Sequence, residues 1–242
     1  MKTFRADLHI HTCLSPCADI RMSPRNIAAA AKKKELDVLG ICDHNSAENA
    51  AAVAEAAGRL GIRVLPGLEV TSREEVHVLA LFDTVEEALS LQERVYAVLP
   101  GENDENVFGL QVVAGADDDV LGFNGRFLAG AAGLSLEDVV DTVHALRGLA
   151  VASHVDREGF GIIGQLGFIP AGLPLDALEI SRRLTIEEGR SAFGAGWPLI
   201  TGSDAHALEE IGLVTTSFRL EAGTVEEIGL ALKGLGERLV LS

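Results

Sequence analysis

The sequence predicts an α/β fold: a (β/α) barrel whose functional site sits at the C-terminal ends of its strands. Two observations carry that expectation. Six of the seven histidines fall in short polar motifs, and each motif belongs to an apolar, strand-like run. The motifs are Asp7-Leu8-His9-Ile10-His11, Cys42-Asp43-His44, Gly67-Leu68-Glu69, His77, Ser153-His154 and Gly202-Ser203-Asp204-Ala205-His206, and the runs before them include TFRA, DVLGI, IRVLP, GLAVA and PLIT. The second observation is that helical periodicity fills the intervals between these runs. Histidines and carboxylates delivered by many strand ends converge only if the strands lie side by side and parallel, as in a barrel whose site is built from the loops at one face.

In chain order, Ser23-Pro24 opens a first helix, with serine at the N-cap and proline at its first position, running through NIAAAAKKKE. LDVLGICDH is a strand, and Ser46 caps the helix SAENAAAVAEAAGRLG with Glu48 in its first turn. IRVLPGLEV and EVHVLALF are two further strands, and Thr84 starts the helix TVEEALSLQERVYAVL. From about 100 to 133 the alternation weakens into Gly-rich and acidic sequence, read as an excursion over the barrel rim that lines the pocket. Ser135 restarts the pattern with LSLEDVVDTVHALRG, followed by the strands LAVASHV, DALEIS and WPLITGSD, with TIEEGRSAFGAG between the last two. VTTSFRL and ERLVL frame a last helix, TVEEIGLALKG. The count is seven parallel strands carrying motifs, with later strands decorating or closing the end.

Composition agrees. A chain of 242 residues suits one barrel-sized domain spanning 1–242. With 48% hydrophobic but only 5% aromatic residues, the core is built from Ala, Val, Leu and Ile. The net charge of −16 argues against a bulk electrostatic footprint for long nucleic acid or an anionic membrane. It leaves room for a small phosphorylated substrate, because bound metals reverse the local field. Three cysteines without a disulfide-like pattern point to a reducing compartment, and with no apolar leader or membrane-length run a cytoplasmic protein is expected.

The motif residues are metal-ligand chemistry. His9 and His11 stand at i, i+2 on a strand, so both imidazoles point to one face while Leu8 and Ile10 point to the other. Asp7 shares the histidine face and could orient a ligand. Glu69 ends a strand after Pro66-Gly67, and a carboxylate there can bridge two ions. Asp204 and His206 repeat the i, i+2 geometry, and His154 follows an apolar run. His77 lies inside its strand rather than beyond it, and is the least secure of the six. His144 lies on a helix at an outer position and is set aside. Asp43 could be a ligand or an orienting group, whereas Cys13 and Cys42 read as small buried hydrophobes.

These motifs resemble, in order and along essentially the whole chain, those of the PHP (polymerase and histidinol phosphatase) superfamily. The resemblance implies a distorted, TIM-like (β/α)7 barrel with two or three divalent ions (Zn, Mn or Fe) at its C-terminal face. It implies that His9, His11, Glu69 and Asp204 hold one ion, that Glu69, His77 and His154 hold a second, and that His44 and His206 hold a third with a ligand from the loop after His11. That loop position, six residues after His11, is Cys17 here, where other members carry His or Asp. A thiolate suits Zn²⁺ or Fe²⁺ better than Mn²⁺, so either Cys17 is a soft ligand or the third site is weak.

The expected chemistry is hydrolysis of a small phosphate ester, such as a nucleotide, histidinol phosphate or sugar phosphate, by a hydroxide bridging two ions. Metals bring the pKa of bound water toward about 7. Glu69, Asp204 and His206 with Arg157 then form the catalytic set. Arg157, three residues beyond His154, and Arg182-Arg183, after the DALEIS strand, are the phosphate contacts. The alternatives are an amidohydrolase-type metal hydrolase and a non-catalytic, regulatory metal-binding barrel. The leaving group and the oligomeric state are not legible.

Overall fold

The computed structural model describes residues 1–194 and 196–241. Its strands are β1 Lys2–Ile10, β2 Val38–Ile41, β3 Arg63–Thr71, β4 His77–Leu81, β5 Val112–Ala114, β6 Val120–Phe123, β7 Leu149–Ala152, β8 Ala177–Ile180, β9 Leu199–Thr201, β10 Thr216–Leu220 and β11 Leu239–Val240. Its helices are α1 Pro24–Lys33, α2 Ala50–Gly58, α3 Val85–Tyr96, α4 Glu105–Phe108, α5 Leu136–Ala145, α6 Ile162–Leu166, α7 Ile186–Phe193 and α8 Val225–Leu232. The main sheet has the order β11-β10-β1-β2-β3-β4-β7-β8-β9. It curls into a nearly closed barrel, because a parallel bridge joins Ile10 at the end of β1 to Ala205 beyond the end of β9.

One strand reverses the expected direction. β4 pairs antiparallel with both β3 and β7, so six strands of the barrel run parallel and the seventh against them. The link from Thr71 to His77 is too short for a parallel crossover, which needs a dozen or more residues, and therefore makes a hairpin. Reversal puts the start of β4 at the same face as the ends of its neighbours. This is why His77 opens its strand rather than closing it.

Alternation along the strands separates two cores. Leu65 on β3, Leu79 and Leu81 on β4, Leu149 and Val151 on β7, Ala177 on β8 and Ile200 on β9 fill the barrel interior, closed by Val225, Ile228 and Ala231 of α8. The intervening residues, such as Val64, Leu68, Val78, Leu178 and Leu199, face the surrounding helices. Strand β1 breaks its alternation: its register with β2 shifts between Asp7 and Ile10. Leu8 consequently packs in the interior cluster and Ile10 in the outer one, so they do not share a face. The irregularity lets Phe4, Ala6 and Leu8 build the floor while His9 and His11 still point into the mouth.

Helices α3 and α5 begin as expected, each with a full capping box, from Thr84 and Ser135. Ser23 occupies the N-cap of α1 without a side-chain cap bond. Helix α2 starts at Ala50 rather than after Ser46, because residues 46–49 are engaged elsewhere. The Ser46 hydroxyl pairs with Gln92 and Tyr96, and Asn49 donates to Thr12 and to the Val112 carbonyl. The 100–133 excursion contains α4 and the β5–β6 hairpin, and is tied by Asn49 and Asn45 to the loop after β2. No helix among the described residues is long and apolar enough to cross a membrane.

Candidate metal centre

Glu69, near the end of strand β3 inside the barrel mouth, is the hub of the polar cluster. Its Oε1 lies 2.9 Å from His77 Nδ1, 3.2 Å from His154 Nε2 and 3.5 Å from His9 Nε2. Its Oε2 lies 3.2 Å from His44 Nδ1 and 3.4 Å from His11 Nε2. Asp204 Oδ1 is 3.3 Å from His9 Nε2 and 3.2 Å from His11 Nε2. The donor atoms fall into three groups compact enough for an ion: His9, His11, Glu69 and Asp204; His44, Glu69 and His77; and His11, His44 and His206. The first group is the expected one. In the second His44 takes the place expected of His154, whose Nε2 nevertheless reaches Glu69. The third contains His11 rather than Cys17, which lies exposed on the loop after β1.

The backbone is bent to deliver these groups. His154 and Asp204 have φ of 30° and 50°, left-handed values for residues at strand ends. Such conformations cost free energy and persist where the surroundings over-determine them. Gly202 must be glycine, since a Cβ there would overlap the Glu179 carboxylate and crowd His9.

Three buried carboxylates support the cluster. Asp43 accepts from the Thr12 amide and hydroxyl and from the Ser15 hydroxyl, all at 2.6–2.7 Å, and so pins the loop after β1. Ser15 Oγ in turn lies 3.0 Å from His11 Nδ1, an orienting contact for that ring. Asp7 orients no histidine. Because of the shifted register it faces away, accepting from the Ser203 and Gly212 amides and thereby fixing the segment that bears Asp204 and His206. Burial pushes the Asp7 carboxyl up to about 6 against those hydrogen bonds.

The third carboxylate, Glu179 on β8, was missed in the sequence. Its oxygens lie 2.9 and 3.1 Å from His9 Nδ1, and it accepts from the His154 amide at 3.1 Å. The signal was there: in Ala-Leu-Glu-Ile the glutamate takes the inward position of an otherwise apolar strand. Glu179→Gln is expected to weaken metal affinity about 10- to 100-fold, since one carboxylate oxygen becomes an amide facing a donor. Titration of the apoprotein with Zn²⁺ or Mn²⁺ measures it. Unchanged affinity would remove the orienting role.

The electrostatics describe a site built for cations. Burial opposes charge on Glu69, yet the imidazoles of His77 and His9 and the contacts from His11 and His154 hold its carboxyl well below the ordinary range. Burial likewise opposes charge on His9, but Glu179, Glu69 and Asp204 outweigh it and raise that imidazole well above its usual value. His11 rises to about 9 against burial, through Asp204 and Glu69. His44 and His206 are pushed down, His206 to about 4, by burial and by His11, which keeps them neutral and able to ligate. Glu69 Oε1, His44 Nδ1, His77 Nδ1 and His154 Nδ1 are buried without a hydrogen-bond partner. Buried polar atoms are ordinarily paired, so the donor set fits divalent ions.

Arginines rim the mouth unequally. Arg157 Nη1 donates to Asp204 Oδ2 at 2.5 Å, and the side chain keeps 31% exposure. Arg182 is exposed and pairs with Glu210, which accepts from the His206 amide; Arg183 is exposed. The structure therefore brings Arg157 to the cluster, leaves Arg182 one residue removed from it, and places Arg183 at the surface.

Comparison with known proteins bears on this arrangement. The family model of the PHP domain matches residues 7–110, and that of the PHP-associated region matches residues 193–233. Residues 7–110 thus carry a PHP domain. The chain is 24% identical over 257 residues to the uncharacterised protein YqxK of Bacillus subtilis, covering 100% of this chain and 65% of that one. Among solved structures, a lesion-specific endonuclease from Pyrococcus furiosus shares the fold with a TM-score of 0.75 at 20% identity, covering 99% of this chain and 58% of that one. A candidate metal-dependent phosphoesterase from Bifidobacterium adolescentis does so with a TM-score of 0.57 at 21% identity, covering 83% and 87%. The chain thus spans less than two thirds of YqxK and of the endonuclease.

Proposed function

We propose that the protein is a metal-dependent phosphoesterase acting on small phosphate esters, with residues 1–242 working as one unit. The observation that carries this reading is the Glu69 carboxylate shared by two ligand groups, with the Arg157 guanidinium beside Asp204 at their rim. His9, His11, Glu69 and Asp204 hold one ion, and Glu69, His44 and His77, with His154 alongside, hold a second. His11, His44 and His206 form a weaker third position, with Cys17 outside it. Divalent ions held there would supply positive charge to the phosphoryl oxygens and bring water toward ionisation near neutral pH. Glu179 and Ser15 fix the tautomers of His9 and His11. Arg157 donates to the phosphoryl oxygens, where charge develops during in-line displacement. The net charge of −16 favours a small ester over long nucleic acid.

The test is a panel on the full chain stripped of metal and reloaded with Mn²⁺, Zn²⁺ or Fe²⁺. Phosphomonoesters should be hydrolysed only by the reloaded protein, with inorganic phosphate competing. Turnover of amides or lactones alone would overturn phosphoester chemistry, and cleavage of DNA alone would overturn the small substrate.

A further inference from the structure

The loop after β7 carries, three residues beyond Arg157, an aromatic ring that the proposed hydrolysis leaves without a role. Phe160 stacks on His77, with ring centroids 4.4 Å apart and planes inclined by 16°. Its φ is 60°, a conformation that bulky residues rarely adopt. The surroundings enforce it. The His77 amide donates to the Phe160 carbonyl at 2.9 Å, and a Cβ on the next residue, Gly161, would sit 2.5 Å from the Arg157 carbonyl oxygen. A tight turn therefore holds Arg157 against Asp204 and Phe160 against His77, two groups that both border the Glu69 cluster. His77 covers one face of the phenyl ring, yet the residue as a whole remains 41% exposed. Propping His77 would use only the covered face of that ring.

We propose that the open face of Phe160 is a stacking platform for a planar aromatic group on the ester, such as a nucleobase, making Phe160 a specificity-determining residue. The proposal rests on the phosphoesterase reading, with the phosphate between the ligand cluster and Arg157. A phenyl face accepts any base by stacking, without reading its hydrogen-bonding edge. An aliphatic sugar phosphate offers no ring to it.

Calorimetric binding of AMP and of ribose 5-phosphate to the metal-loaded chain isolates the base. The wild type should bind AMP more tightly. Phe160→Leu should weaken AMP binding roughly 5- to 100-fold, leave ribose 5-phosphate within about 2-fold, and keep the metal content, whereas Phe160→Tyr should retain the preference. Equal loss of both ligands, a preference that survives Phe160→Leu, or no preference or binding in the wild type would overturn the proposal. Rate measurements keep the two readings apart. An AMP preference lost in Phe160→Leu, in a protein that hydrolyses no phosphate ester, upholds the platform and sinks the phosphoesterase. Hydrolysis of phosphate esters with no ring preference does the reverse.

Discussion

Glu69→Ala should strip divalent metal from the purified protein and lower kcat/KM toward a phosphomonoester by about 10³-fold or more, equivalent to about 4 kcal/mol of transition-state stabilisation. The size follows from position. Five imidazoles lie within 3.5 Å of its two oxygens, and two of the three ligand groups contain it. Removing it takes away a shared ligand and a negative charge together, leaving His9, His11, His44, His77 and His154 facing one another without their common counter-charge. Glu69→Gln should move both quantities the same way, because it keeps the volume and loses the charge. The barrel should survive, since Glu69 sits above the apolar interior cluster rather than within it. Elemental analysis, circular dichroism and the rate with a chromogenic phosphomonoester check the three parts. An active Glu69→Ala protein with unchanged metal content would refute the bridging role.

What the sequence disclosed and what it hid divide along physical lines. Each histidine motif was legible because a strand end at a barrel mouth joins an apolar run to a polar tip, and the structure brings all six histidines to one cluster. The direction of β4 was hidden by the habit of the parallel repeat, although the short link after Thr71 already contradicted a crossover. Glu179 was hidden because a single inward carboxylate does not disturb the hydrophobicity of a strand. Its inward place in register with Ala177, alternating with the outward Leu178 and Ile180, was the available signal. Asp7 was misplaced for a deeper reason. A one-residue register shift exchanges the faces of a strand, and nothing local in Asp-Leu-His-Ile announces where β1 slips against β2. Ser46 had the chemistry of an N-cap, but its hydroxyl is used by Gln92 and Tyr96, partners distant in sequence.

Arg157→Ala should keep full metal occupancy and yet lose about 30- to 1000-fold in kcat/KM, the equivalent of about 2–4 kcal/mol for a donor aimed at developing charge. Among the described residues Arg157 makes its polar contact with the cluster at Asp204 Oδ2, whereas Asp204 Oδ1 faces His9 and His11, so its loss removes no ligand atom. It frees Asp204 instead, which if anything tightens the ion held there. Lysine at this position should recover part of the rate, because a point charge restores attraction but not the bidentate fork. Inorganic phosphate should compete more weakly against Arg157→Ala, since the same donor would meet it. A fall in metal content instead would mean that Arg157 serves to hold Asp204 in its left-handed pose. Normal turnover would move the clamp to Arg182, whose partner Glu210 already braces the His206 amide and could release the guanidinium toward a phosphate.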